Sequence, residues 1–162
     1  MGHIDYISLL GQYYGETALV SVLESLGMRK PPRMPRGESD TIVVLPGLGL
    51  EFTFTDERAL DWQAKAYPDG ALVLTNVFFH AKETDQHRAY AGDLPADLSF
   101  SFNTAALISR LGTPDACDED GTLMRFDRPQ YSISVETDES GHIMIVGVQM
   151  ASKETSQSAV TS

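Results

Sequence analysis

The chain has little that would staple, export or anchor it. Its 162 residues include one cysteine, Cys117, so no intramolecular disulfide can form, as expected for a reducing compartment. The opening Met-Gly-His-Ile-Asp-Tyr-Ile-Ser-Leu-Leu lacks a basic segment followed by an apolar one, so it does not read as a secretory signal. No apolar run approaches the roughly 20 residues that span a bilayer. Basic side chains are scarce too, 12 against 23 acidic ones, for a formal net charge of −11. Such a surface repels nucleic acid and anionic membrane, and suits plain solubility or a basic partner. The expectation is a cytoplasmic protein that binds neither nucleic acid nor membrane.

What is present is ordinary globular chemistry, 42% hydrophobic and 22% charged, enough for one core over residues 1–150. Residues 151–162 are rich in Ser and Thr and read as a disordered polar tail. The best-punctuated stretch is Leu94–Pro114: Asn103 is a good N-cap, and Leu107, Ile108 and Leu111 fall on one helical face. Gly112 and Pro114 then stop the helix. An earlier helix, Thr17–Leu26, has Leu19, Val22, Leu23 and Leu26 at helical spacing and ends at Gly27. A shorter one is expected within residues 5–10. Residues 28–40 are proline-rich and basic, with Arg29, Lys30, Arg33 and Arg36. They read as an exposed loop that could touch an acidic patch.

Strand chemistry follows each helix. Thr41–Leu45 is β-branched, Pro46–Gly49 makes a turn, and Leu50, Phe52 and Phe54 alternate with polar residues. Asp56–Gly70 reads as an irregular excursion and Ala71–His80 as an apolar third strand. In the second half, Thr122–Phe126, Tyr131–Glu136 and His142–Met150 repeat that order. Thr55-Asp56-Glu57 and Thr137-Asp138-Glu139 recur at the same point in it. The expected fold is therefore α+β: two α-β-β-β units, about 5–80 and 94–150, forming antiparallel sheet with short helices packed on one face. The bland alternative is an α+β chain with two similar hairpins.

Catalytic constellations are missing. Cys117 lies among Asp115, Asp118, Glu119 and Asp120, and neighbouring carboxylates raise a thiol pKa, the wrong direction for a nucleophile. Asp118-Glu119-Asp120-Gly121 lacks the alternating ligands of a calcium loop and reads as a solvated turn. His80 and His87 do not have a metal-site spacing, and Gly47-Leu48-Gly49 is not followed by a phosphate-binding helix. The expectation is a non-enzyme without metal or cofactor.

Several segments carry a family resemblance: Leu9-Leu10-Gly11, Gly49-Leu50-Glu51-Phe52-Thr53-Phe54, the apolar strand Ala71–His80, and Tyr90-Ala91-Gly92-Asp93-Leu94-Pro95. Leu98-Ser99-Phe100, the helix and Leu111-Gly112-Thr113-Pro114 follow. Together they resemble small bacterial immunity proteins encoded beside polymorphic or contact-delivered toxins. The second unit is also similar to the helix-and-sheet repeat of β-lactamase-inhibitory and outer-membrane-assembly lipoproteins. The resemblance implies a protein that neutralises a cognate toxin, encoded by the adjacent gene, by stoichiometric occlusion. No catalytic residue transfers with it.

For a toxin with a basic cleft, the candidate contacts are Asp118, Glu119 and Asp120 with Asp138 and Glu139, and Glu83 and Asp85 as a second choice. Each alone is an ordinary solvated charge. The hypothesis requires them to form one coherent face. The rival is a small-molecule-binding or enzymatic α+β domain with Trp62, Tyr67, His80 and His87 around a pocket; core packing would explain the same aromatics. A plainer alternative is an oligomeric adaptor that uses an exposed sheet edge.

Overall fold

The computed structural model describes residues 4–61 and 65–151. The expected tail, apart from Ala151, and Trp62 lie outside the described residues. The fold is α+β. Short helices α1 (Tyr6–Leu9) and α2 (Thr17–Ser25) precede strands β1 (Asp40–Leu45), β2 (Leu50–Asp56) and β3 (Leu72–His80). Helix α3 (Thr104–Leu111) precedes β4 (Ala116–Cys117), β5 (Leu123–Asp127), β6 (Tyr131–Thr137) and β7 (Ile143–Met150). All strand pairings are antiparallel in one seven-stranded sheet of order β1-β2-β3-β7-β6-β5-β4. The first half is a three-stranded meander and the second a four-stranded one that starts with the two-residue β4, and the last strands of the two halves, β3 and β7, meet at the centre. At the start of β3, where β7 does not reach, residues 11–14 continue the ladder. Gly11 N–H donates to Leu74 C=O at 2.9 Å, and Tyr14 N–H to Leu72 C=O at 2.8 Å.

The period-2 pattern of the strands turns one face into the core. Leu50, Phe52, Phe54, Val77, Phe79, Phe126, Ile133, Val135, Val146 and Val148 are buried in one cluster with Leu19 and Leu23 of α2 and Leu107 and Leu111 of α3. Each such side chain contributes about 1.5–3 kcal/mol by leaving water. The other face carries Glu51, Thr53, Asn76, Gln149, Ser134 and Glu136, with Ile42, Val44 and Leu123 well exposed.

Local chemistry set the helix ends. Asn103 Oδ1 accepts from Ala106 N–H at 2.8 Å, and Gly112 takes a φ of 90°. Two expectations are corrected and one strand is added. Ile108 is 39% exposed, because α3 buries only the stripe through Leu107 and Leu111. The loop after α2 is not wholly solvated, since Met28 and Pro32 are buried. Ala116 and Cys117, which belong to none of the expected elements, form an edge strand on Arg125 and Met124.

Candidate functional site

Sheet topology brings the acidic candidates to one end. Pairing places the end of β3, the start of β7, the end of β6, the start of β5 and the end of β4 side by side (His80 with Ile145, Thr137 with Ile143, Leu123 with Glu136, Cys117 with Met124). The loops leaving that end hold Glu83 and Asp85, Asp118, Glu119 and Asp120, and Asp138 and Glu139. Six of these residues are exposed and Asp138 is half-buried.

Two of the seven carboxylates are already committed to the backbone. Asp118 Oδ1 accepts from Thr122 N–H at 2.9 Å and Leu123 N–H at 3.1 Å, while Oδ2 accepts from Thr122 Oγ1 at 3.1 Å. Asp138 Oδ1 accepts from Ser140 and His142 N–H, both at 2.9 Å. Those backbone donors favour the ionised form and hold both carboxyls below the usual aspartate range. Asp118-Glu119-Asp120-Gly121 and Asp138-Glu139-Ser140-Gly141 are thus two copies of one turn, with glycine φ values of 72° and 84°. The repeated Asp-Glu-x-Gly was the signal that could have revealed this. Asp56 uses the same device, accepting from Arg58 N–H at 2.9 Å, so the Thr-Asp-Glu recurrence marks turn chemistry.

Between the two turns lies a depression of about 680 Å³ lined by Asp120, Thr122, Asp138, Glu139, Gly141 and the first residue of α3, Thr104. Lys82 Nζ lies 3.9 Å from Asp138 Oδ2 and His142 Nδ1 lies 3.4 Å from it, so part of that charge is matched internally. Glu119, Asp120 and Glu139 are exposed on the same turns. Glu83 and Asp85 form a separate group around a shallower depression with Pro46 and Gly47. Their loop is tied down by Arg88 N–H to Pro46 C=O at 2.8 Å. Gly49 permits the approach, because a Cβ there would come within 2.4 Å of Arg88 O.

Among the described residues, Tyr67 and the two histidines of the rival pocket lie toward opposite ends of β3. Tyr67 donates to Gly11 C=O at 2.6 Å and meets Tyr13 edge-on at 6.2 Å, near the start of β3. His80 ends that strand, with its ring 4.2 Å from that of His87 and its Nε2 2.9 Å from Glu51 Oε1. Sequence reasoning missed Glu51 as the partner, since only strand register sets it beside His80. Among the described residues no group of three or more His, Cys, Asp or Glu side chains is placed to hold a metal ion. No helix of the described residues is long and apolar enough to cross a membrane.

Sequence reasoning also missed an apolar cavity of about 320 Å³ lined by Ile4, Tyr6, Leu26, Leu48, Leu50 and Tyr90, among others. Burial there pushes the Tyr6 phenol far above its ordinary pKa, and Tyr90 reinforces the shift. No protein-family model, no curated protein and no solved structure matches the chain. Its function is argued from its own residues.

Proposed function

We propose that the chain is an immunity-type binding protein that neutralises a basic protein toxin by stoichiometric occlusion. The observation that supports this is the collection of exposed carboxylates at one end of the sheet, with Glu119, Asp120 and Glu139 on paired, rigid turns around one depression. Rigid turns lose little entropy on docking, and a surface of net charge −11 steers a cationic cleft toward them. In this reading Asp118 and Asp138 shape the turns, and the neighbouring carboxylates meet the partner. The toxin would act in the cytoplasm and be encoded by the adjacent gene.

The test is co-expression of the neighbouring gene product with and without this chain, counting survivors and isolating any complex. Rescue through a one-to-one complex is expected, and reversing charge at Glu119, Asp120 and Glu139 should abolish both. A harmless neighbour, or rescue without a complex, would sink the proposal. The Tyr6–Tyr90 cavity favours the second reading, a small-molecule-binding domain. That reading predicts that a small apolar ligand raises the melting temperature of the native chain and not of a cavity-filled Leu48→Trp variant.

A further inference from the structure

The outermost strand β1 has its exposed side chains and its outward backbone groups on the same three residues. Asp56 N–H donates to Ser39 C=O at 2.8 Å, and the register pairs Asp40 with Thr55. Alternation along an antiparallel ladder then makes Thr41, Val43 and Leu45 the residues bonded to β2. Asp40, Ile42 and Val44 direct N–H and C=O away from the sheet, and no hydrogen bond among the described residues reaches those groups. The side chains of Ile42 and Val44 are 60% and 48% exposed. β1 carries no lysine, proline or bulge, and its one charged side chain is Asp40 at the start of the strand.

Flanking charge indicates what this edge fits. Before β1 runs the basic loop with Arg33 and Arg36, held beside the strand by Thr41 Oγ1 donating to Arg33 C=O at 2.9 Å. After β1 comes the Pro46–Gly47 turn, which shares its depression with Glu83 and Asp85. A second copy laid antiparallel and centred on Ile42 sets Ile42 against Ile42, and Asp40 against Val44 of the other copy. It also carries the basic loop of each copy toward the acidic loop of the other, twice over by symmetry. We propose that the chain forms a two-fold dimer through β1, joining two seven-stranded sheets into one continuous sheet. In the dimer every outward N–H and C=O of Asp40, Ile42 and Val44 gains a partner, and the exposed apolar pair leaves water. The dimer uses Glu83 and Asp85 and leaves Glu119, Asp120 and Glu139 free, so it does not depend on the toxin-binding reading.

The test is the mass of the full chain by sedimentation velocity and light scattering over a range of concentrations. The expected mass is twice the 17.7 kDa of one chain. Ile42→Lys places like charges across the axis at an exposed position and should give the single-chain mass with an unchanged circular dichroism spectrum. Arg36→Glu, and separately Glu83→Arg with Asp85→Arg, should each weaken the dimer by tenfold or more. Combining them should restore it. A native chain of single-chain mass at every concentration overturns the proposal, as does a dimer that survives both Ile42→Lys and Arg36→Glu. If Ile42→Lys fails to fold, loss and restoration in the charge-reversal series decides.

Discussion

The two outer edges of the sheet are finished in opposite ways. Beyond β5 the chain covers its own edge: Asp115 N–H donates to Arg125 C=O at 2.8 Å, Asp118 N–H to Leu123 C=O at 3.0 Å, and Asp127 N–H to Asp115 Oδ2 at 2.7 Å. Arg125 and Asp127 add an ion pair at 2.9 Å on the open face. Beyond β1 nothing comparable exists among the described residues, although its side chains are more apolar. Residues 115–118 supply the short strand β4 along β5, whereas no segment of the described residues pairs with the outer side of β1. The sheet thus ends in one short, covered edge and one longer, open one.

The comparison of halves breaks first if they do not share a core. Phe52 and Phe126, one in each half, are fully buried in the same cluster. Phe52→Ala and Phe126→Ala should each cost about 3–5 kcal/mol, and both should shift one cooperative thermal transition seen by circular dichroism. Two separate transitions would show that the halves fold independently.

A smaller contrast separates the hairpin turns. Gly49→Ala in the first half forces a Cβ to within 2.4 Å of the Arg88 carbonyl oxygen at a φ of +66° and should cost about 3 kcal/mol in urea titration. Gly121→Ala in the second half has a φ of +72° with nothing within 4 Å, so only the backbone penalty of about 1 kcal/mol is expected. Equal losses would mean that the packing of the 88–90 strand of loop against Gly49 is loose.

The linker between the halves carries its own strain. Ala96 and Asp97 have φ values of 58° and 57°, held between buried Leu94 and Leu98. Ala96→Gly should therefore stabilise the protein, by about 0.5–1 kcal/mol, as read from the denaturation midpoint. A loss of stability would show that the Ala96 methyl packs usefully.

The smallest effect compares the Thr-Asp-Glu turns in acid. Hydrogen bonds from Arg58 lower Asp56 to about 2, and backbone donors lower Asp138. Both carboxyls are below their unfolded values, so their contribution is complete above the unfolded pKa near 4 and fades as pH falls through the folded values. Carboxyl NMR titrations should place both midpoints below that of an unstructured aspartate. Asp138→Asn should flatten part of the acid limb of stability, and an unchanged limb would remove Asp138 from that account.

Much of the architecture was legible because it is local. Asn103 caps the N–H three residues on, Leu107 and Leu111 share a helical stripe, and Leu50, Phe52 and Phe54 alternate within one strand. The acidic candidates were legible as residue types and not as roles. Asp118 and Asp138 read as contact groups, and in the structure the Oδ1 of each also accepts from backbone N–H donors of its own turn. Ala116–Cys117 carries no period at all, and it is a strand only because β5 offers it an edge. His80 and Glu51 meet through register alone.

The sequence by itself determined the helices, the alternating strands, the glycine turns and the acidic charge, since each depends on residues a few positions apart. Only the tertiary structure decided that β3 and β7 meet at the centre, that the acidic loops share one end, and that β1 is left bare while β5 is covered. Those outcomes depend on which faces bury together and which long-range ladder forms. No window of sequence contains both partners of such a choice.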